Sequence, residues 1–327
     1  MPRLIDAETP PSRRLAQAAK VTETVISREL YRTGSLRADC ERLSQPSEPM
    51  TDADILSFVL KYFHASLYPG SENHAVPLAE ASGLLRRFYD LWLDGGERDV
   101  SLPGDYSAYP LRMLADLPRT AHIFRSVANR ALAPGLRPER YLGFDLGTGS
   151  GIILTAAWFQ AMRNKIHDTE LVGVECDGEV AERTRLLFDS LGLGRIVVDD
   201  ARDAGVLAAL PDGPVAFVGN ENVPAPKTRV TAEPFSAIHA ALFSVMSRRL
   251  RQTIFFPEAL VVRDRDAEID VVLSKNNRFQ PPRHYRALRL RPRSIVIEGR
   301  LTKLWQVGKD FRQYLPESWL RIMPGRW

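Results

Sequence analysis

Apolar positions along the chain follow two different periods, and the change between them marks out the architecture. Residues 1–50 are polar and arginine-rich, with an amphipathic patch at 16–30 that Thr22 or Thr24 could cap. Thr51-Asp-Ala-Asp54 has the make-up of a helix start, with acids in the first turn, and leads into the apolar-rich run 55–63. Pro69-Gly70 ends that helix. A second is expected over 77–93, apolar at Leu78, Leu84, Leu85, Phe88 and Leu91 and closed by Gly95-Gly96. The aromatic residues Tyr62, Phe63, Phe88, Tyr89 and Trp92 form a stripe that belongs in a core. His64 and His74 have no carboxylate pattern around them and are expected to be surface or hydrogen-bonded histidines rather than metal ligands.

From residue 141 the pattern changes to short apolar runs alternating with helical stretches. Strands are expected at 141–145 and 168–175, within 194–203 and 214–224, and from 253, and helices at 152–161, 179–191 and 231–250. The last of these helices places Phe235, Ile238, Leu242 and Val245 on one face. Alternation of this kind predicts an α/β fold built on a mostly parallel sheet. Residues 269–273 and 293–305 alternate like strands and are expected to complete that sheet and add a small extension. The arginines 286, 289, 291 and 293 then fall on a solvated strand face.

Composition narrows the partners. At 327 residues with 44% hydrophobic content, the chain can bury a full core. Forty-four basic residues stand against 40 acidic ones, interspersed, for a net charge of +4, so no basic stripe for nucleic acid is evident. The two cysteines, Cys40 and Cys176, are far apart and suit neither a disulfide framework nor a zinc site. The first residues do not have the make-up of a secretory signal, and no apolar run approaches about 18 residues. A cytoplasmic chain with no membrane partner is expected.

The chemistry centres on residues 141–151, where an apolar run ends in Asp145 and is followed by Gly147-Thr148-Gly149-Ser150-Gly151. Such a stretch makes a strand, a tight turn that lets a ligand approach the backbone, and a helix start. Its Gly-x-Gly-x-Gly spacing is not that of a dinucleotide site. The stretch resembles motif I of class I S-adenosylmethionine (SAM)-dependent methyltransferases, and the resemblance implies a Rossmann-like domain whose turn cradles SAM. Asp145 either contacts that ligand or orders the turn. Glu175 ends the next strand, and the resemblance assigns it the ribose hydroxyls, with Cys176 beside it; capping of the next helix is the alternative. Asp200 and Ala201 resemble the pair at the adenine amino group, with Asp199 as the choice if the register slips by one.

Upstream, Tyr106-x-x-Tyr109 and Met113-Leu-Ala-Asp116-Leu-Pro-Arg119-Thr120 resemble the lead-in of protein arginine methyltransferases and their relatives. In that family the segment forms a helix over SAM, which implies that Arg119 pairs with the SAM carboxylate and that Met113 packs near the cofactor. A guanidinium suits that role, since it offers a carboxylate a bidentate fork. An ion pair with Asp116 is the alternative for Arg119, and packing is the alternative for Tyr106 and Tyr109. The chain departs from the family after the fourth strand: Asn220 stands where the first substrate-clamping glutamate is expected, Glu221 follows, and no second glutamate is found.

The expectation is therefore a helical N-terminal cap over residues 1–104 and a SAM-binding catalytic domain over 105–327. The partners expected are a small-molecule acceptor or SAM alone. The first reading is methyl transfer to that acceptor, with Asn220, Glu221, Tyr106 and Tyr109 as candidate catalytic residues. A second keeps the pocket but attacks the aminocarboxypropyl arm, as in SAM cyclases that make azetidine-2-carboxylate and methylthioadenosine. A third is a SAM-binding protein without catalysis.

Overall fold

The structure is a computed structural model that describes residues 31–46, 50–85, 108–115, 117–132, 139–220, 222, 235–250, 252–256, 259–264, 268–272, 292–298 and 303–306. Among them no helix is long and apolar enough to cross a membrane. Strand β1 (Tyr141–Leu146) is buried along its whole length, as an apolar run flanked by helices on both faces requires. Strands β2 (Thr169–Glu175), β3 (Arg195–Val198), β4 (Val215–Gly219) and β5 (Ile254–Phe256) join it in an all-parallel sheet of order β3-β2-β1-β4-β5. The order reverses between β1 and β4, the position at which such sheets open a crevice for a ligand. The fold is α/β and Rossmann-like.

Successive side chains of β1 point to opposite faces, and the two cores follow from that. Tyr141 contributes to one core with helices α1 (Leu36–Leu43), α2 (Asp52–Leu67), α4 (Leu117–Ala128), α5 (Ile152–Arg163) and α6 (Gly178–Leu191). Leu142, Phe144 and Leu146 contribute to the other, with α7 (Ala204–Ala208) and α8 (Phe235–Met246). Helix α3 (Ala108–Ala115) precedes α4, so the lead-in is helical at 108–115 and 117–128.

The N-terminal helices are integral to the first core. Thr51 caps α2 reciprocally with Asp54, as the Thr-Asp-Ala-Asp sequence predicts. Phe58 of α2 meets Phe124 of α4 at 4.8 Å and Phe159 of α5 at 5.2 Å between ring centroids, an aromatic cluster joining three helices. Tyr62 and Phe63 are fully buried, as the aromatic stripe requires, whereas Phe88, Tyr89 and Trp92 lie outside the described residues. Lys61, also fully buried, places Nζ 2.6 Å from Asp39 Oδ2 on α1.

The end of the chain corrects one expectation. Strands β6 (Ala259–Asp264), β7 (Glu268–Val272), β8 (Pro292–Glu298) and β9 (Lys303–Gln306) do not extend the parallel sheet. They form a separate antiparallel sheet of order β7-β6-β8-β9. The reason lies in the connections: only residues 265–267 separate β6 from β7, and so short a link can return a strand antiparallel but cannot cross over.

Candidate functional site

The turn after β1 is fastened from several sides. Gly147 and Gly151 have φ of 77° and 75°, a left-handed conformation that favours glycine. The N–H groups of Gly147 and Thr148 donate to Val174 O at the end of β2, at 2.7 and 3.1 Å. Thr184 Oγ1 of α6 donates to Gly149 O at 2.6 Å, and Tyr62 Oη of α2 donates to Ser150 O at 2.7 Å. Pro110 of α3 lies against Gly149, where an added Cβ would be 3.6 Å from it. Removing only the Tyr62 hydroxyl, which also lies 3.3 Å from Thr155 Oγ1, as Tyr62→Phe, is expected to lower stability by about 1–2 kcal/mol, the cost of its buried hydrogen bonding. An unchanged urea midpoint would show that the turn is held without it.

Two carboxylates face this turn. Asp145, 1% exposed, accepts from Thr148 Oγ1 at 2.9 Å. It is in register with Gly219 of β4, where a Cβ would come within 2.5 Å of its Oδ1, so the absence of a side chain at Gly219 is what accommodates the Asp145 carboxylate in the crevice. Glu175 accepts the Gly149 N–H through Oε2 at 2.9 Å and the Asp177 N–H through Oε1 at 3.0 Å. The cap of α6 is Asp177, which accepts from Glu179 N and Val180 N, and not Glu175.

Farther along the strand ends, Asp200 receives the Arg202 N–H at 2.8 Å and its guanidinium Nε at 2.9 Å. The hydrogen bond from Arg202 holds its carboxyl below the usual range despite some burial. Asp199 Oδ1 accepts the Asp200 N–H at 2.8 Å, so both acids of the Asp199/Asp200 choice stand at this edge. Ala201 is buried and Cys176 is exposed. Burial of part of its surface and the Glu175 charge push the Cys176 thiol up, so it stays protonated.

At the end of β4, Asn220 is fully buried, and its N–H donates to Phe256 O at 2.8 Å. Its side chain lies 2.8 Å from His239 Nδ1 of α8 and accepts from Asn222 Nδ2 at 2.8 Å. Asn222 Nδ2 also donates to Leu146 O, and the carboxamide packs on Gly147. Tyr106 and Glu221 lie outside the described residues. Tyr109 and Met113 stand on α3 and Arg119 on α4, at the backbone level.

Four residues of this arrangement escaped sequence reading: Tyr62, Thr184, Asn222 and His239. The signals were an Asn-x-Asn directly after a strand and a single histidine on the apolar helix face of Ile238 and Leu242. A different polar group, Ser71–His64–Glu80, has the residue types of a hydrolytic triad, with contacts of 3.3 and 2.9 Å. The N–H groups of Gly70 and Ser71 already donate to Glu72 and Tyr68, so they offer no oxyanion hole.

No protein-family profile matches the chain, and no curated protein matches it either. Among solved structures it is similar to the CurJ carbon methyltransferase, at 14% identity and a TM-score of 0.27, over 71% of this chain and 76% of that one.

Proposed function

We propose that the chain is a SAM-dependent transferase that moves the SAM methyl group to a small acceptor. The observation that carries this reading is the bond from the Gly149 N–H to Glu175 Oε2, which joins the turn after β1 to the acid ending β2. Four main-chain donors of the turn are taken: Gly147 and Thr148 on Val174 O, Gly149 on Glu175, and Gly151 on Thr148 O. A pyrophosphate would meet the Asp145 and Glu175 carboxylates there, which repel an anion. A ribose and a sulfonium cation suit a turn flanked by Asp145 and Glu175.

In this reading Glu175 accepts from the ribose hydroxyls, with Cys176 beside it, and Asp200 and Ala201 stand at the adenine. Met113 and Arg119, on the two lead-in helices, serve the methionine arm. Tyr106, Tyr109 and Glu221 serve the acceptor. Bound SAM supplies a methyl carbon activated by its sulfonium. What the chain contributes is orientation for in-line attack, for which positioning is the main catalytic effect.

Incubation with SAM, alone and with a panel of small nucleophiles, tests the reaction. S-adenosylhomocysteine released with an acceptor is the expected product. Methylthioadenosine formed from SAM alone would overturn methyl transfer in favour of attack on the aminocarboxypropyl arm. Glu175→Ala is expected to weaken SAM binding by about 1.5–3 kcal/mol, the worth of hydrogen bonds to a charged group. Calorimetry showing equal affinity would remove Glu175 from the ribose site.

A further inference from the structure

We infer that His239 is a positioning residue that sets the glycine-rich turn through a relay of two asparagines; its consequence for ligand binding rests on the SAM reading of that turn. The direction of each bond can be fixed. Asn220 Oδ1 accepts the main-chain N–H of Asn222 at 3.3 Å, and an N–H can only donate. The oxygen of the Asn220 carboxamide therefore faces Asn222, and its NH2 faces α8. That NH2 donates to His239 Nδ1 at 2.8 Å. Nδ1 is thus the acceptor, and the ring proton resides on Nε2.

The relay ends on the turn. Asn222 Nδ2 donates both to Asn220 Oδ1 and to Leu146 O, the last carbonyl of β1. Its carboxamide occupies the space over Gly147, where a Cβ would meet Asn222 Oδ1 at 2.4 Å and Cγ at 2.7 Å. A histidine on α8 therefore orients one asparagine, which orients a second, which covers the first glycine of the turn. His239 and Asn220 are 1% and 0% exposed, so solvent does not compete for the bond between them. The ring also packs against Phe255 and Phe243, at 5.9 and 6.5 Å between centroids. Packing needs only a ring in this place; the relay needs the acceptor at Nδ1.

Two variants separate these demands. His239→Phe keeps an aromatic ring and removes the acceptor. His239→Asn gives up the ring but restores an acceptor oxygen near the position of Nδ1. In the ligand-free protein, His239→Phe is expected to speed amide hydrogen exchange at Gly147 and Thr148 about tenfold, the effect of one buried hydrogen bond. It is also expected to weaken SAM binding by about the same factor, whereas His239→Asn stays within about threefold of wild type on both measures. Wild-type exchange in His239→Phe, or equal impairment in the two variants, would overturn the relay in favour of packing. If exchange follows the relay but the wild-type protein binds no SAM, the relay stands and the SAM reading falls. Should His239→Phe fail to fold, the nitrogen-15 spectrum of the wild-type imidazole decides: a proton on Nε2 supports the relay, and a proton on Nδ1 overturns it.

Discussion

Gly151→Ala is expected to destabilise the protein by about 2–5 kcal/mol and, under the proposed function, to abolish SAM binding along with the shape of the turn. Two costs combine. The left-handed φ of 75° costs a residue with a Cβ about 1–2 kcal/mol. The added methyl would also lie 2.4 Å from Phe188 Cε2 and 2.9 Å from Thr184 Cγ2, both side chains of buried residues. Overpacking of this kind costs about 1–3 kcal/mol more. Gly149→Ala is the control, because it has φ of 51° but no atom nearer than 3.6 Å, so only the backbone cost of about 1–2 kcal/mol applies. Urea denaturation of the two variants side by side is the measurement. Equal stabilities would mean that Phe188 yields and that the close approach of α6 to the turn is soft.

Lys61→Met is expected to cost about 3 kcal/mol although it replaces a charge by an apolar side chain of similar length. Lys61 is fully buried, and Asp39, 5% exposed, would be left in the interior with Arg42, at 3.3 Å, as its one ionic partner among the described residues. That remaining partner puts the loss near the lower end of what breaking a buried pair costs. Adding Asp39→Asn to Lys61→Met is expected to recover much of it, since no buried charge is then left unpaired. A double-mutant cycle by chemical denaturation reads this directly. Additive losses would show that the two charges do not stabilise one another.

Much of the parallel sheet was legible because each strand is a short apolar run with a polar or glycine boundary. The expected 141–145 and 168–175 became Tyr141–Leu146 and Thr169–Glu175, and the helix expected over 179–191 became Gly178–Leu191. The second sheet was not legible from alternation, because period two identifies a strand without identifying its partner. The length of the link at 265–267 carried the missing information. In the site, the meeting of Glu175 with the turn followed from strand order, since adjacent parallel strands end side by side. The junction of Asn222 with Gly147 and of Asn220 with His239 depends on how α8 docks, and docking leaves no local pattern. Tyr62 shows a further limit: its ring was legible as core, but the bond its hydroxyl makes to Ser150 has no period to betray it.

The same turn bears on how the chain matures during synthesis. Its own residues are contiguous, yet Tyr62 is separated from Ser150 by 88 positions, Thr184 from Gly149 by 35, and Asn222 from Leu146 by 76. Contacts so distant form only after their loops have closed, and domains emerge from the ribosome N-terminus first. Helix α2 is therefore waiting when the turn is translated, α6 fastens a second side, and Asn222 arrives last with α8 still to follow. A nascent chain whose residues through α6 have left the exit tunnel while Asn222 has not can fasten the turn to α2 and α6 but not to Asn222. The last fastening of the turn is thus completed late, as the segment from β4 to α8 clears the exit tunnel.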